Sequence, residues 1–233
     1  MKARLKTNGV IIFLVVLLIA VFPSFFLRYR CPRSLDEFLQ VFGLALVLLG
    51  QIFRASARGY KSEHSQSGRS LVQGGPYSLV RNPMYLGILL IGSGIILILF
   101  RLWLLGAFLL IFVIRYVSLV FQEEKRLLLM FAEAYKDYCK KVPRLLPSLS
   151  GLLRKDIGEC LPMKPFWIKK EIGTMLGVLF AILLMELWKD ASYEGIKTYF
   201  NKVGFMVITI ALFAGLAFYL NKRTQTLGQG VSN

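Results

Sequence analysis

Six apolar stretches constrain this chain more than any other feature: residues 9–27, 36–53, 84–100, 102–121, 172–188 and 203–220 are each too long and too uniform for the helices of a water-soluble core. A hydrocarbon layer about 30 Å thick takes about 20 helical residues to cross, or about 17 where flanking side chains snorkel. The expected fold is therefore all-α, a polytopic membrane bundle of about six transmembrane helices. A hydrophobic content of 56% over 233 residues and a mean hydropathy of +0.59 agree with that reading.

Charge sets the expected orientation. Lys and Arg collect on the cytoplasmic side of membrane proteins, whereas Asp and Glu matter little. With six spans, 21 basic residues fall on the side of the two termini and seven on the other, Arg115 being left within a span. Both termini are expected in the cytoplasm. The net charge of +16 lies in short juxtamembrane stretches, which suit anionic headgroups and not a nucleic acid. The first apolar run has a basic start, but its length, Pro23 and the lack of a small-x-small site speak for a retained span and not a cleaved signal.

Metal chemistry finds no ligands. Cys31, Cys139 and Cys160 are widely separated, and His64 is the sole histidine, in a Ser-rich loop that reads as solvated. No soluble domain or fixed-period repeat is visible. The chain divides at the sequence level into residues 1–73 (two spans and a loop), 74–147 (a helical hairpin and its flanks) and 148–233 (a basic linker and two spans). Any chemistry must come from loops and helix ends.

The middle segment supplies such ends. Pro83 fits the first turn of the third span, Asn82 can cap it, and the free N–H groups with the positive dipole end favour an anion in front of them. Gly74 and Gly75 allow close backbone approach, and Tyr77 and Tyr85 offer ring faces and hydroxyls. Arg101 leaves only a short connection between the third and fourth spans, so residues 122–126 return beside Pro83. Adjacent carboxylates on a helix point about 100° apart, so at most one of Glu123 and Glu124 need face a pocket, and Glu124 is favoured. Arg115, more than a turn inside the fourth span, either serves a substrate path or pairs with Gln122 or snorkels. Gly87, Gly92 and Gly94 read as close helix packing. Beyond Glu124, Leu127, Leu128, Met130, Phe131, Ala134, Tyr135 and Tyr138 alternate with charges as in an interfacial amphipathic helix, ended by Pro143 and Pro147.

Gly75-Pro76-Tyr77, Val80-Arg81-Asn82-Pro83-Met84-Tyr85-Leu86-Gly87, Glu123-Glu124, Phe131, Tyr135, Tyr138 and Val142-Pro143-Arg144-Leu145-Leu146-Pro147 occur in an order and spacing that resembles the isoprenylcysteine carboxyl methyltransferase and phospholipid methyltransferase superfamily. Asn82 stands where His is commoner, and Ala132 where Gly usually follows Phe131, the latter expected to be a small local matter. The two final spans, preceded by Phe166-Trp167-Ile168-Lys169-Lys170-Glu171, look more loosely like a bacterial subgroup that includes lipid A phosphate methyltransferases.

The resemblance implies an integral membrane enzyme that uses S-adenosyl-L-methionine and methylates a lipid or lipid-linked acceptor at the cytoplasmic interface. It implies a cofactor set of Gly75, Tyr77, Arg81, Asn82, Pro83, Tyr85, Gly87, Glu123 and Glu124, with Arg115 and Glu124 as candidate catalytic residues. Arg115, Arg81 or Arg126 can pair an acceptor phosphate or carboxylate. Two other classes share the scaffold: NADPH-dependent membrane reductases of the sterol type, and noncatalytic membrane proteins.

Overall fold

The structure, a computed structural model, describes residues 18–19, 21–28, 33–65, 68–147 and 157–193. Regular structure among them is helical: α1 (Pro23–Phe26), α2 (Arg33–His64), a 3₁₀ turn (Gly75–Ser78), α3 (Pro83–Leu99), α4 (Trp103–Lys141), α5 (Ile157–Cys160) and α6 (Pro165–Tyr193). Within them Ser34–His64, Trp103–Lys141 and Pro165–Lys189 are long and apolar enough to cross a membrane, while α3 is apolar but only 17 residues long. Four of the expected apolar stretches thus form helices, and three of those helices reach spanning length. The stretch at 203–220 and most of 9–27 lie outside the described residues.

Glycine lets α2 and α3 touch backbone to backbone. Gly43 meets Gly94, and two helical turns away Gly50 meets Gly87, as an antiparallel crossing requires. A methyl group at Gly50 would lie 2.6 Å from the Gly87 carbonyl oxygen, and one at Gly43 2.7 Å from that of Gly94. Neither fits without separating the helices, which is how small residues drive packing where lipid removes the hydrophobic incentive. Gly92 turns the other way, toward the Phe108 ring of α4.

At the far end of α3 the orphaned carbonyls are met by a buried cation. Arg28 donates from Nη1 to the Leu97 carbonyl (2.6 Å) and from Nη2 to that of Ile98 (3.2 Å), while its Nε holds Asp36 Oδ1 in the first turn of α2 (2.9 Å). A guanidinium at a helix C-terminus satisfies both the free carbonyls and the negative dipole end. Leu27 and Phe100 form an antiparallel bridge beside it, and the chain reverses at once into α4. Between Trp103 and Glu123 the axial rise is about 30 Å, close to one hydrocarbon thickness. The helix thus delivers its acidic pair back to the level of Pro83.

The fourth expected span runs on as helix past Glu124 into the segment beyond it, so that α4 is two helices joined across a kink. Its single break is Ala132, at φ 41° and ψ −115°. The departure from glycine there is therefore more than a small local matter, because a Cβ is carried in a left-handed conformation that glycine adopts without steric penalty. The break redirects the last turns: Tyr135 and Tyr138 become buried beside Val142 and Leu71, while Glu133, Lys136, Asp137 and Lys140 stay exposed.

α6 is fastened to the end of α2. Trp167 is buried over Gly59 and donates its indole N–H to Glu63 Oε1 (2.6 Å), Lys164 pairs with Glu63 Oε2 (2.6 Å), and Ser56 donates to the Pro162 carbonyl (2.8 Å).

Relieving the strained position by Ala132→Gly is expected to stabilise the folded protein by about 1 kcal/mol, since a residue held in such a region stores of that order. The thermal midpoint in detergent micelles, read by intrinsic fluorescence, should rise by a few degrees; a fall would mean that the helix continues unbroken through residue 132.

Candidate functional site

A cavity of about 280 Å³ opens where the 3₁₀ turn, the start of α3 and the far part of α4 converge. Pro83 begins α3 as its missing N–H allows, and Asn82 occupies the cap position without a side-chain cap bond. Its amide instead donates to the Arg144 carbonyl (3.3 Å). Tyr85 and Leu86 N–H groups both turn back to the Asn82 carbonyl (3.1 and 3.2 Å). Proline having no N–H, the donor of this first turn with no backbone partner among the described residues is that of Met84.

Glu123 and Glu124 differ completely in their surroundings. Glu124, with a side chain 15% exposed, accepts from Arg81 Nη1 at 2.9 Å and from Arg144 Nε at 3.0 Å on Oε1, and from Arg144 Nη2 at 2.9 Å on Oε2. The bidentate fork is the strong geometry for an arginine–carboxylate pair. Bonding to this carboxylate also raises the Arg144 pKa above its ordinary value. Glu123, 40% exposed, makes one ion pair among the described residues, with Lys61 at 3.7 Å, a spacing and exposure that contribute little. It remains free to meet a ligand.

The exit segment is stitched to the same place. The Arg81 N–H donates to the Pro143 carbonyl (2.8 Å), and the Tyr116 hydroxyl to that of Arg144 (3.2 Å). Tyr138 donates from its hydroxyl to the Tyr77 carbonyl (2.7 Å), closing the cavity from above. Burial first, and the negative charge of Glu123 second, raise the Tyr77 pKa above the phenolic range, so its hydroxyl stays a donor. Tyr85 lies edge-on to Tyr116 at 5.4 Å, which sets its ring at the cavity wall.

Tyr77, Arg81, Asn82, Pro83, Tyr85, Glu123 and Glu124 line this cavity together; Gly75, Gly87 and Arg115 do not. Gly75, at φ 56°, lies under the Tyr60 ring, 2.7 Å from where its Cβ would be, and Gly87 faces Gly50. Arg115 is exposed on the outer side of α4. Sequence reading missed Lys61 and Leu71, which reach the wall from the end of α2 and the loop after it. Nothing local marks them. His64 stacks on Tyr60 at 3.9 Å, away from the cavity. Among the described residues no group of His, Cys, Asp and Glu could hold a metal ion.

Residues 38–134 match the phospholipid methyltransferase family. The match runs from early α2, through the α3–α4 hairpin and past Glu124, and agrees with the superfamily whose motifs the sequence carries. The matched residues make up under half of the chain. Arg144 and Tyr138 lie beyond its end. No curated protein and no solved structure matches the chain.

Glu124→Gln keeps the shape but removes the charge between two arginines. It should lower stability by about 2 kcal/mol, the range for hydrogen bonds to charged groups, whereas Glu123→Gln should leave the thermal midpoint in micelles unchanged. Equal midpoints for the two variants would mean that the clamp carries no load.

Proposed function

We propose that this chain is an integral membrane, S-adenosyl-L-methionine-dependent methyltransferase acting on a lipid or lipid-linked acceptor at the cytoplasmic interface, with six spans and both termini cytoplasmic in a bacterial inner membrane. The observation that carries the reading is that a free acidic side chain, Glu123, and the proline-led start of α3 line one cavity. The basic asymmetry of the sequence supports the orientation.

The donor set suits the cofactor. S-Adenosyl-L-methionine combines two cationic centres, a carboxylate and a nucleoside, and the cavity offers one carboxylate free of arginine, aromatic faces at Tyr77, Tyr85 and Phe131, and cationic or N–H donors at Lys61 and Met84. Glu123 is the residue proposed to hold the cationic end, and Glu124, tied up by its arginines, positions the wall. This reverses the preference for Glu124 drawn from the sequence. When bound, the cofactor supplies an electrophilic methyl group on sulfur.

The residues of the chain then have to align an acceptor with that group and keep water out. Tyr135 and Tyr138 cover the cavity from the segment beyond Ala132, which we read as lying at the membrane interface. An anionic oxygen acceptor needs no general base, so Asn82 in place of histidine is compatible with transfer. Orientation alone can contribute on the order of 7 to 11 kcal/mol in favourable cases.

Purified protein given radiolabelled S-adenosyl-L-methionine and host membrane lipids should place label in a lipid fraction. Glu123→Gln is expected to weaken cofactor binding by at least about tenfold, the scale of one lost charge-assisted contact, as measured by equilibrium dialysis. Absence of both label and binding in the wild-type protein would defeat the reading, and NADPH binding in their place would favour a reductase.

A further inference from the structure

Arg115 lies twelve residues into α4, about 18 Å along the axis from Trp103. Its neighbours Ile111, Ile114 and Val117 are exposed, and Arg115 is exposed with them, making no hydrogen bond, ion pair or ring contact with any described residue. A lone guanidinium in hydrocarbon is unfavourable and calls for an anion or a polar layer within reach. At 100° per residue Gln122 and Arg126 fall within about 20° of Arg115 around the helix. Both are exposed, and Arg126 also lines the cavity. A polar stripe thus descends from the cavity mouth along an outward-facing helix surface that is apolar apart from Ser118, with exposed Ile111 and Leu119 each about 40° from Arg115.

We infer that this stripe binds the phosphate-bearing headgroup of an anionic membrane lipid. Charge complementarity selects the occupant: the stripe offers two guanidinium groups and an amide and contains no carboxylate, and arginine matches phosphate through paired N–H donors. Phosphate is held at Arg126, at the level where α4 leaves the membrane. The ester region lies below at Gln122, and Arg115 snorkels toward it from deeper in the layer. Arg81, though in the cavity, is not available for this role, since Glu124 and Cys139 already occupy it at 2.9 Å each. The stripe stands as a lipid site on its own geometry. That the lipid so held is the methyl acceptor rests on the methyltransferase reading above.

The full chain, placed in nanodiscs of phosphatidylcholine doped with phosphatidic acid, provides the test, with bound lipids read by native mass spectrometry. Enrichment of phosphatidic acid should fall about fivefold for Arg126→Gln, the factor set by one basic residue near an anionic surface, and further when Arg115→Gln is added to it. A Lys136→Gln/Lys140→Gln control, on the exposed turns past Ala132, should keep the enrichment, and Arg115→Gln should keep the affinity for S-adenosyl-L-methionine. Unchanged enrichment in the arginine variants, or equal loss in the control, overturns the proposal. So does a wild-type dimer that Arg115→Gln dissociates, because a protein carboxylate would then be the anion. If enrichment responds as expected while wild-type protein fails to bind S-adenosyl-L-methionine, the lipid site holds and the methyltransferase reading falls.

Discussion

The carboxylate of Glu124 joins three stretches of chain that are far apart in sequence: the turn before α3 through Arg81, the body of α4, and the exit after it through Arg144. Everything at the cavity is referred to that junction. A partly buried charge pair is costly to assemble, and one partner left alone is costlier still, so such pairs fix a unique geometry more than they add net stability. The pairing also has an electrostatic consequence for a cationic ligand. Unpaired, Arg81 would repel a cationic group from the cavity wall; bonded to Glu124 it does so less, and among the described residues Glu123 is the lining carboxylate with no arginine hydrogen-bonded to it.

The hairpin makes the junction possible. Its closed end, where Arg28 binds the last carbonyls of α3, leaves no slack between Leu99 and Trp103, so the register of α4 against α3 is set there. About one membrane thickness later the acidic pair arrives beside Pro83. A longer connection would permit α4 to slide or rotate, and either motion would separate Glu124 from Arg81. The break at Ala132 completes the enclosure by turning two tyrosines inward, and the strain stored there is tolerated because Tyr138 anchors to the Tyr77 carbonyl.

Much of this arrangement was legible because it depends on local rules. Apolar length announces the helices, Pro83 announces a helix start, and a short connection forces the acidic pair back to it. What the sequence left open depends on partners distant along the chain. Residues 123 and 124 differ by about 100° around a helix, and the approach of Arg81 and Arg144, 43 and 20 residues away, decides which of them is bound up. Gly74 and Gly75 read as room for a ligand, yet the aromatic ring occupying that room is Tyr60, from the preceding helix.

The final described helix is not an appendage to this core. Trp167 and Glu63 fix the start of α6 to the end of α2, where Tyr60 lies edge-on to Trp167 at 6.4 Å and covers the Gly74–Gly75 backbone. That backbone leads directly into the 3₁₀ turn carrying Tyr77, and Tyr77 receives Tyr138. A displacement of α6 would therefore be felt at the cavity through two rings and one turn, with no covalent proximity between them. α6 is thus placed to hold the end of α2, a side of the cavity that the α3–α4 hairpin does not itself supply.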